Sequence, residues 1–370
     1  MKLFKHKLIT GLITILVCSG ISHAATLRVP ADYSTIQEAI DAAVNGDTVR
    51  VADGIYSGDG NIDLDPLGKE ITIVSQNGPE FCEINGQESS RIFHIFRGET
   101  DGLIIRGFTM AGGRTKDKGG AVYCDLSSPR IENCVFTNNL SLIGGALCLE
   151  GSEAQVDNCT FTGNTAYENG GAIALLHGDE SDFTNCQIEL NKGYLAGGGV
   201  YSNGAQTHFS NCQFSENNSL QGGGFYTIRR SRLTLEDCTI SDNTAITGGG
   251  MLLRSSSDQL IDIVFHGNIA NENGGAIYST GHSDFLVSDC QFTENKANNG
   301  GCFALADAHP QVTQSTFEGN RAMTAGGVFY FLREDQERAE ITHCSFVNNS
   351  ASVRGGAFAF RFTTHFIYDA

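Results

Sequence analysis

Residues 156–173 read Val-Asp-Asn-Cys-Thr-Phe-Thr-Gly-Asn-Thr-Ala-Tyr-Glu-Asn-Gly-Gly-Ala-Ile, and with small changes this stretch is written nine times. Its end, a Gly-Gly pair followed by a small and then an apolar residue, occurs ten times, from Gly119 to Gly355, at intervals of 25 to 29 residues. A fixed period of this size marks a solenoid, in which no unit buries its own apolar face and each must stack on its neighbours. Within the quoted stretch Val156 and Phe161 are apolar anchors five residues apart. The same spacing returns at Ile131/Phe136, Phe183/Ile188, Phe209/Phe214, Leu235/Ile240, Val287/Phe292, Val312/Phe317 and Ile341/Phe346. Side chains of a straight strand alternate between its faces, so an odd spacing cannot turn both anchors inward, and the chain must bend between them. The bend falls at Asn133, Asn158, Asn185, Asn211, Asp237, Asp262 and Asp289, residue types that tolerate a left-handed backbone.

Three residues after the second anchor stands a second Asn, from Asn139 through Asn164 and Asn191 to Asn349, placed to hydrogen-bond up and down a column. Seven of the twelve cysteines fall in one column, Cys134, Cys159, Cys186, Cys212, Cys238, Cys290 and Cys344, with Ile263 and Ser315 at the matching places. The absence of any Cys-x-x-Cys leaves zinc and thioredoxin-type chemistry without support. The column is expected to be a ladder of buried free thiols packing as small hydrophobes, with disulfides the alternative. A strand, a bend, a second strand, an Asn turn, a Gly-Gly turn and a third strand then make one coil.

The remaining composition sets limits. Five prolines in 370 residues leave little room for linkers, and the 45 glycines are explained by the turns. Lys2, Lys5 and Lys7 precede the apolar run from Leu8 to Cys18, and Ser22-His23-Ala24 offers a cleavage site, so residues 1–24 read as an export signal. Loss of those three lysines takes the formal charge from −18 to −21. That balance disfavours nucleic acid, anionic lipid and bare acidic polysaccharide as partners unless a divalent cation mediates. No later stretch reaches the ~18 apolar residues of a spanning helix.

The pairing of Phe-x-x-Asn with Gly-Gly-Ala-Ile resembles the repeat of chlamydial polymorphic outer membrane proteins and, more widely, the right-handed parallel β-helix of pectin-lyase-like proteins. The resemblance covers about Arg106 to Phe360, and residues 29–56 resemble the start of many exported bacterial β-helix proteins. It implies an all-β fold, a single-stranded right-handed parallel β-helix solenoid of about a dozen coils, roughly 60 Å long at ~4.8 Å per coil. Ile36, Ala39, Ile40 and Ala43, behind Ser34 as N-cap, predict a short N-terminal capping helix over the first coil. The expected organisation is a signal peptide at 1–24, a cap and irregular coils at 25–105, and regular coils at 106–370. The last of these breaks off at Ala370 without an amphipathic cap, as a truncated or partner-covered end would. No C-terminal barrel follows, which departs from the chlamydial pattern.

Chemistry is sparse. Lyases on this fold use acidic residues on one outward face with an Arg or Lys base, and hydrolases use paired carboxylates. This chain has no aligned Asp-Asp pair, no Gly-His-Gly and no strand Arg-x-Lys. Gly281-His282-Ser283 is a near miss in a connecting loop, and Arg229, Arg230 and Arg232 read as a solvated basic cluster. Asp59, Asp63 and Asp65 begin like a calcium loop that lacks its distal Glu, so no cofactor is expected and calcium is the one ion such a loop could take. Tyr123, Tyr201, Tyr226, Tyr278 and Tyr330 fall beside the Gly-Gly corners with flanking residues that face inward. They are therefore expected to face out as an intermittent aromatic stripe for a sugar ring or a partner protein. Two readings follow: a non-catalytic exported β-helix, secreted or at the cell surface, that binds an extracellular polysaccharide or surface protein; or a polysaccharide lyase or glycosidase, on fold analogy alone.

Overall fold

The computed structural model describes residues 24–178, 180–332 and 339–361; residues 1–23 of the expected export signal and the expected uncapped end at Ala370 lie outside them. The chain is an all-β parallel solenoid of about thirteen turns, with a single seven-residue helix among the described residues. Each coil presents three faces. In the quoted repeat Gln155–Asp157 lies on the first, Thr160–Thr162 on the second and Ile173–Leu176 on the third, with a short turn strand, Thr165–Asn169, between the last two. Every pairing is parallel, from one coil to the next. The second face alone stacks twelve strands, from Gly54–Ser57 to Ser345–Val347.

The bend expected from parity is present. Asn133, Asn158, Asn185, Asn211, Asp237, Asp262 and Asp289 all have φ between 49° and 58°. Both anchors consequently point inward, and like side chains stack along the axis: Phe136 on Phe161 at 4.5 Å, Phe265 on Phe292 at 4.7 Å. The second Asn column is a closed network. Asn191 Nδ2 donates to Asn217 Oδ1 and to the Phe161 carbonyl, and the Asn191 amide donates to the same Asn217 oxygen.

The thiols of the cysteine column are free, as expected. Their role is more polar than simple packing: the Cys186 amide donates to Cys212 Sγ and the Cys212 amide to Cys238 Sγ. The sulfurs of Cys159, Cys212, Cys238 and Cys290 thereby satisfy a backbone donor of the preceding coil. Ser315 does the same for Cys290, whereas Ile263 interrupts the series because a hydrocarbon cannot accept from the Cys238 amide.

The two glycines of each pair have different reasons. Gly170 has φ 69°, a left-handed conformation, while a Cβ on Gly171 would lie 2.1 Å from the Gly198 carbonyl of the next coil. The helix, Ile36–Ala42, buries Ile36, Ala39 and Ile40 against the first strands, but its N-cap is Thr35, not Ser34. The Thr35 hydroxyl accepts from the Glu38 amide, and Ser34 instead donates its amide to the Glu38 carboxylate.

Candidate functional site

The expected tyrosine stripe is only half realised. All five tyrosines lie outside the main core, as parity requires, yet Tyr123, Tyr226 and Tyr330 are 8 %, 4 % and 7 % exposed. The turn strands stand out from the shaft, and small apolar clusters fill the angle they make with the third face. Tyr226 packs there with Ala196 and Leu252, and Tyr330 with Ala325 and Ala359. Parity predicted the direction of each side chain, not what stands in front of it. Tyr201 and Tyr278 are half-buried, and Tyr201 stacks on Tyr226 at 5.7 Å. The Tyr123 hydroxyl bonds to Glu150, which also pairs with Lys118; burial, then that hydrogen bond, pushes the phenol up.

Two exposed tyrosines, Tyr167 and Tyr194, stand at the turn strands instead. Tyr167 and Tyr194 stack at 6.1 Å, with Lys192 Nζ 4.3 Å from the Tyr194 ring, and Leu220 and Ile246 continue the ridge in the next coils. The signal was in the sequence, as Tyr167 and Tyr194 follow successive Asn positions, but the Gly-Gly tyrosines drew the eye.

The first face carries a second feature that the sequence reading missed. Its outward column runs Asp182, His208, Thr234, Gln259, Leu286, Gln311 and Glu340 in continuous register. Two grooves, of about 400 and 830 Å³, open on this column and share Ser257 and Gln259, so that they form one trough. In its upper part His208 sits between two carboxylates, with Nδ1 3.5 Å from Asp182 and Nε2 3.6 Å from Glu236. Both are too long for hydrogen bonds, and Nε2 is shielded from solvent without a partner. Farther along, His309 Nδ1 lies 2.9 Å from Asp284 Oδ1. Sequence spacing alone could not show this, because the residues of one outward column are 25 to 29 apart and differ in type.

The other candidates are dispersed. His282 lies within the continuous strand Ile277–Ser288, not in a loop, with φ 59° at the irregularity between two faces. Arg229 and Arg230 occupy a left-handed corner, and Arg232 alone of that cluster reaches the trough. Asp65 is taken up by Arg97, at 2.8 Å, and by the Leu67 amide, and Asp63 has φ 54°. Among the described residues no group of three or more His, Cys, Asp or Glu is placed to hold a metal ion. Asp258, whose carboxyl burial pushes up to about 6, is one of the residues lining the trough, but its side chain is buried and accepts from Ser256, Thr227 and the Leu233 amide.

Family comparison agrees with this geometry. The model of the right handed beta helix region matches residues 70–188, 120–292 and 190–322, more than half of the chain, and the protein belongs to that family. Over 123 residues the chain is 30% identical to the Escherichia coli K12 protein described as "Probable autotransporter YfaL"; the match covers 28% of this chain and 10% of that protein. Among solved structures it is similar to the catalytic domain of a GH87 α-1,3-glucanase in complex with nigerose. That similarity has a TM-score of 0.50 at 12% identity, over 92% of this chain and 68% of the other, and shows a shared fold. The receptor binding domain of the siphovirus 9NA tailspike aligns at a TM-score of only 0.26, with 13% identity over 88% of this chain and 76% of the other. Among the described residues no helix is long and apolar enough to cross a membrane.

Proposed function

We propose that the protein is an exported β-helix shaft, secreted or held at the cell surface, that binds an extracellular glycan in the first-face trough without cleaving it. The observation that carries this is the outward column itself. It offers a hydrogen-bonding side chain in nearly every coil, at a spacing of ~4.8 Å, on the scale of a pyranose ring. It includes His208, whose ring is part-exposed between Asp182 and Glu236 at 3.5 and 3.6 Å, too far to commit either nitrogen to a protein hydrogen bond. The trough's volume lies in the range of ordinary ligand sites, roughly 300–1,000 Å³. General acid catalysis would call for a carboxyl with a raised pKa facing the substrate. Asp258 has the raised value but turns its carboxylate to three buried donors.

Export rests on the lysine-led apolar segment at residues 1–24 and on the resemblance of the double motif to surface proteins. The E. coli relative, described as an autotransporter, supports the same placement. Of the five Gly-Gly tyrosines, Tyr201 and Tyr278 keep enough exposure to extend a ligand contact beyond the trough. A surface protein is the alternative partner, and the Tyr167–Tyr194 ridge is where it would dock.

The test is a neutral-glycan array with the mature protein, repeated with His208→Ala and Gln259→Ala. Binding lost in both variants supports the reading. Release of new reducing ends or unsaturated products from any bound glycan would replace it with a hydrolase or lyase.

A further inference from the structure

The charge of the shaft is not evenly spread. Residues 91–130 hold seven Lys and Arg against four Asp and Glu, a net of +3 within a chain of −18. Three of these cations, Arg91, Arg114 and Lys116, line a recess of about 360 Å³ at the corner between the second and third faces, well away from the trough. Arg91 is the fixed one. Its guanidinium donates to the Lys118 carbonyl at 2.8 Å and to the Gly119 carbonyl at 3.1 Å, and lies over the Tyr123 ring at 5.2 Å. It makes no ion pair among the described residues; burial lowers its pKa, and Asp63 and Asp117 act on it through space in the opposite sense. The direct partners of this half-buried guanidinium are neutral carbonyls, and no carboxylate touches it, so an anion that entered the recess could make the charged hydrogen bond the wall does not. Among the described residues Arg114 pairs with Glu88 alone, at 3.3 Å and in the open, where an ion pair contributes little.

The rest of the lining says what kind of anion fits. Asp63 and Glu88 are acceptors, and Ser89, Ser90 and Thr115 add hydroxyls. Two carboxylates in the wall repel a ligand that is anionic throughout, such as a nucleic acid, a phosphate or a sulfate. They suit a ligand that carries one anionic group together with hydroxyl donors. From this combination we infer that the recess is a subsite for a sugar acid, a pyranose whose carboxylate meets Arg91 and Lys116 and whose hydroxyls donate to Asp63 and Glu88. It takes from the glycan-binding reading only that the ligand is a saccharide, and the trough plays no part in it. It also revises the inference from net charge: an acidic shaft accepts an acidic sugar where its few cations are gathered.

Titration calorimetry of the mature protein with glucuronic acid, glucose, sodium sulfate and inorganic phosphate tests the assignment. Glucuronic acid is expected to bind, and glucose, sulfate and phosphate to bind at least about tenfold more weakly, a difference of ~1.4 kcal/mol. Lys116→Ala, on the surface and without a structural bond, is expected to weaken the acid several-fold, and Arg91→Gln to abolish its binding. Raising the salt toward ~1 M, where the screening length falls to about 3 Å, is expected to weaken it as well. Gln259→Ala in the trough is expected to leave it unchanged, so the two sites fail separately. Equal binding of glucose, equal binding of sulfate or phosphate, or binding indifferent to both Lys116→Ala and Arg91→Gln would overturn the subsite, as would no binding of the acid at all.

Discussion

The asparagine ladder from Asn139 to Asn349 and the outward column from Asp182 to Glu340 each place one side chain per coil, yet they follow opposite rules. In the ladder the residue type never changes across nine coils, and each amide hydrogen-bonds to the next. In the outward column the type changes at almost every coil, and His208 Nε2 is left unpaired. A self-complementary side chain can satisfy itself by stacking, so identity along a column is what a structural role demands. A column read by a ligand must vary, because a ligand with distinct groups needs distinct partners. In this solenoid, then, repetition marks what holds the shaft together and its interruption marks what the shaft presents.

The comparison is broken most severely by Asn217→Leu. The change removes the acceptor of the Asn191 amide and of one Nδ2 hydrogen, each nitrogen 3.0 Å from Asn217 Oδ1, and the side-chain donor to the Ile188 carbonyl, all inside the core. At roughly 1–3 kcal/mol for each buried orphan, the expected loss is about 4 kcal/mol or more. Chemical denaturation measures it; a loss below about 1 kcal/mol would mean that the ladder is ornamental.

How much of this was legible follows from the same contrast. Asn158, Phe161, Cys159 and Gly170 could be read from the sequence because each stands in a column of like residues, and parity then forced the bend at Asn158. The burial of Tyr226 could not, because it depends on Ala196 in a turn strand that packs across the corner, a contact with no signature in either segment. Nor could the placing of His208 between Asp182 and Glu236, which lie in the preceding and following coils and share no motif. The helix cap was misplaced by one residue, at Ser34, because the sequence does not show that the Thr35 hydroxyl meets the Glu38 amide.

Two smaller effects sharpen the comparison at its margins. Asp258 is a carboxylate placed where the repeat has no fixed residue, and it ionises near 3.8 when the chain is unfolded but only at about 6 in the folded protein. The unfolded chain therefore gives up its proton first. Stability is expected to fall as pH rises through this window, by up to about 3 kcal/mol, and to be flat above it. Asp258→Asn should remove that slope from urea midpoints compared between pH 4 and 7; an unchanged slope would refute the assignment. In the cysteine column, Cys212→Ala removes the acceptor of the Cys186 amide, at 3.3 Å, and is expected to cost about 2 kcal/mol. Cys212→Ser should cost about half as much, because Ser315 already serves as such an acceptor; equal costs would return the column to simple packing.

The smallest effect on stability is expected at His208, and its smallness is the point. Its side chain is 40% exposed, and its two carboxylate neighbours, Asp182 and Glu236, are too distant for hydrogen bonds. His208→Ala should therefore move the unfolding free energy by no more than about 0.5 kcal/mol. A structural column cannot lose a member so cheaply, whereas a presented one can, provided that the loss is felt by the ligand. Glycan binding by the same purified variant, measured beside its denaturation curve, separates the two roles. Binding lost at unchanged stability makes the outward column a recognition surface. Stability lost along with binding would place His208 with Asn217 among the residues that hold the shaft.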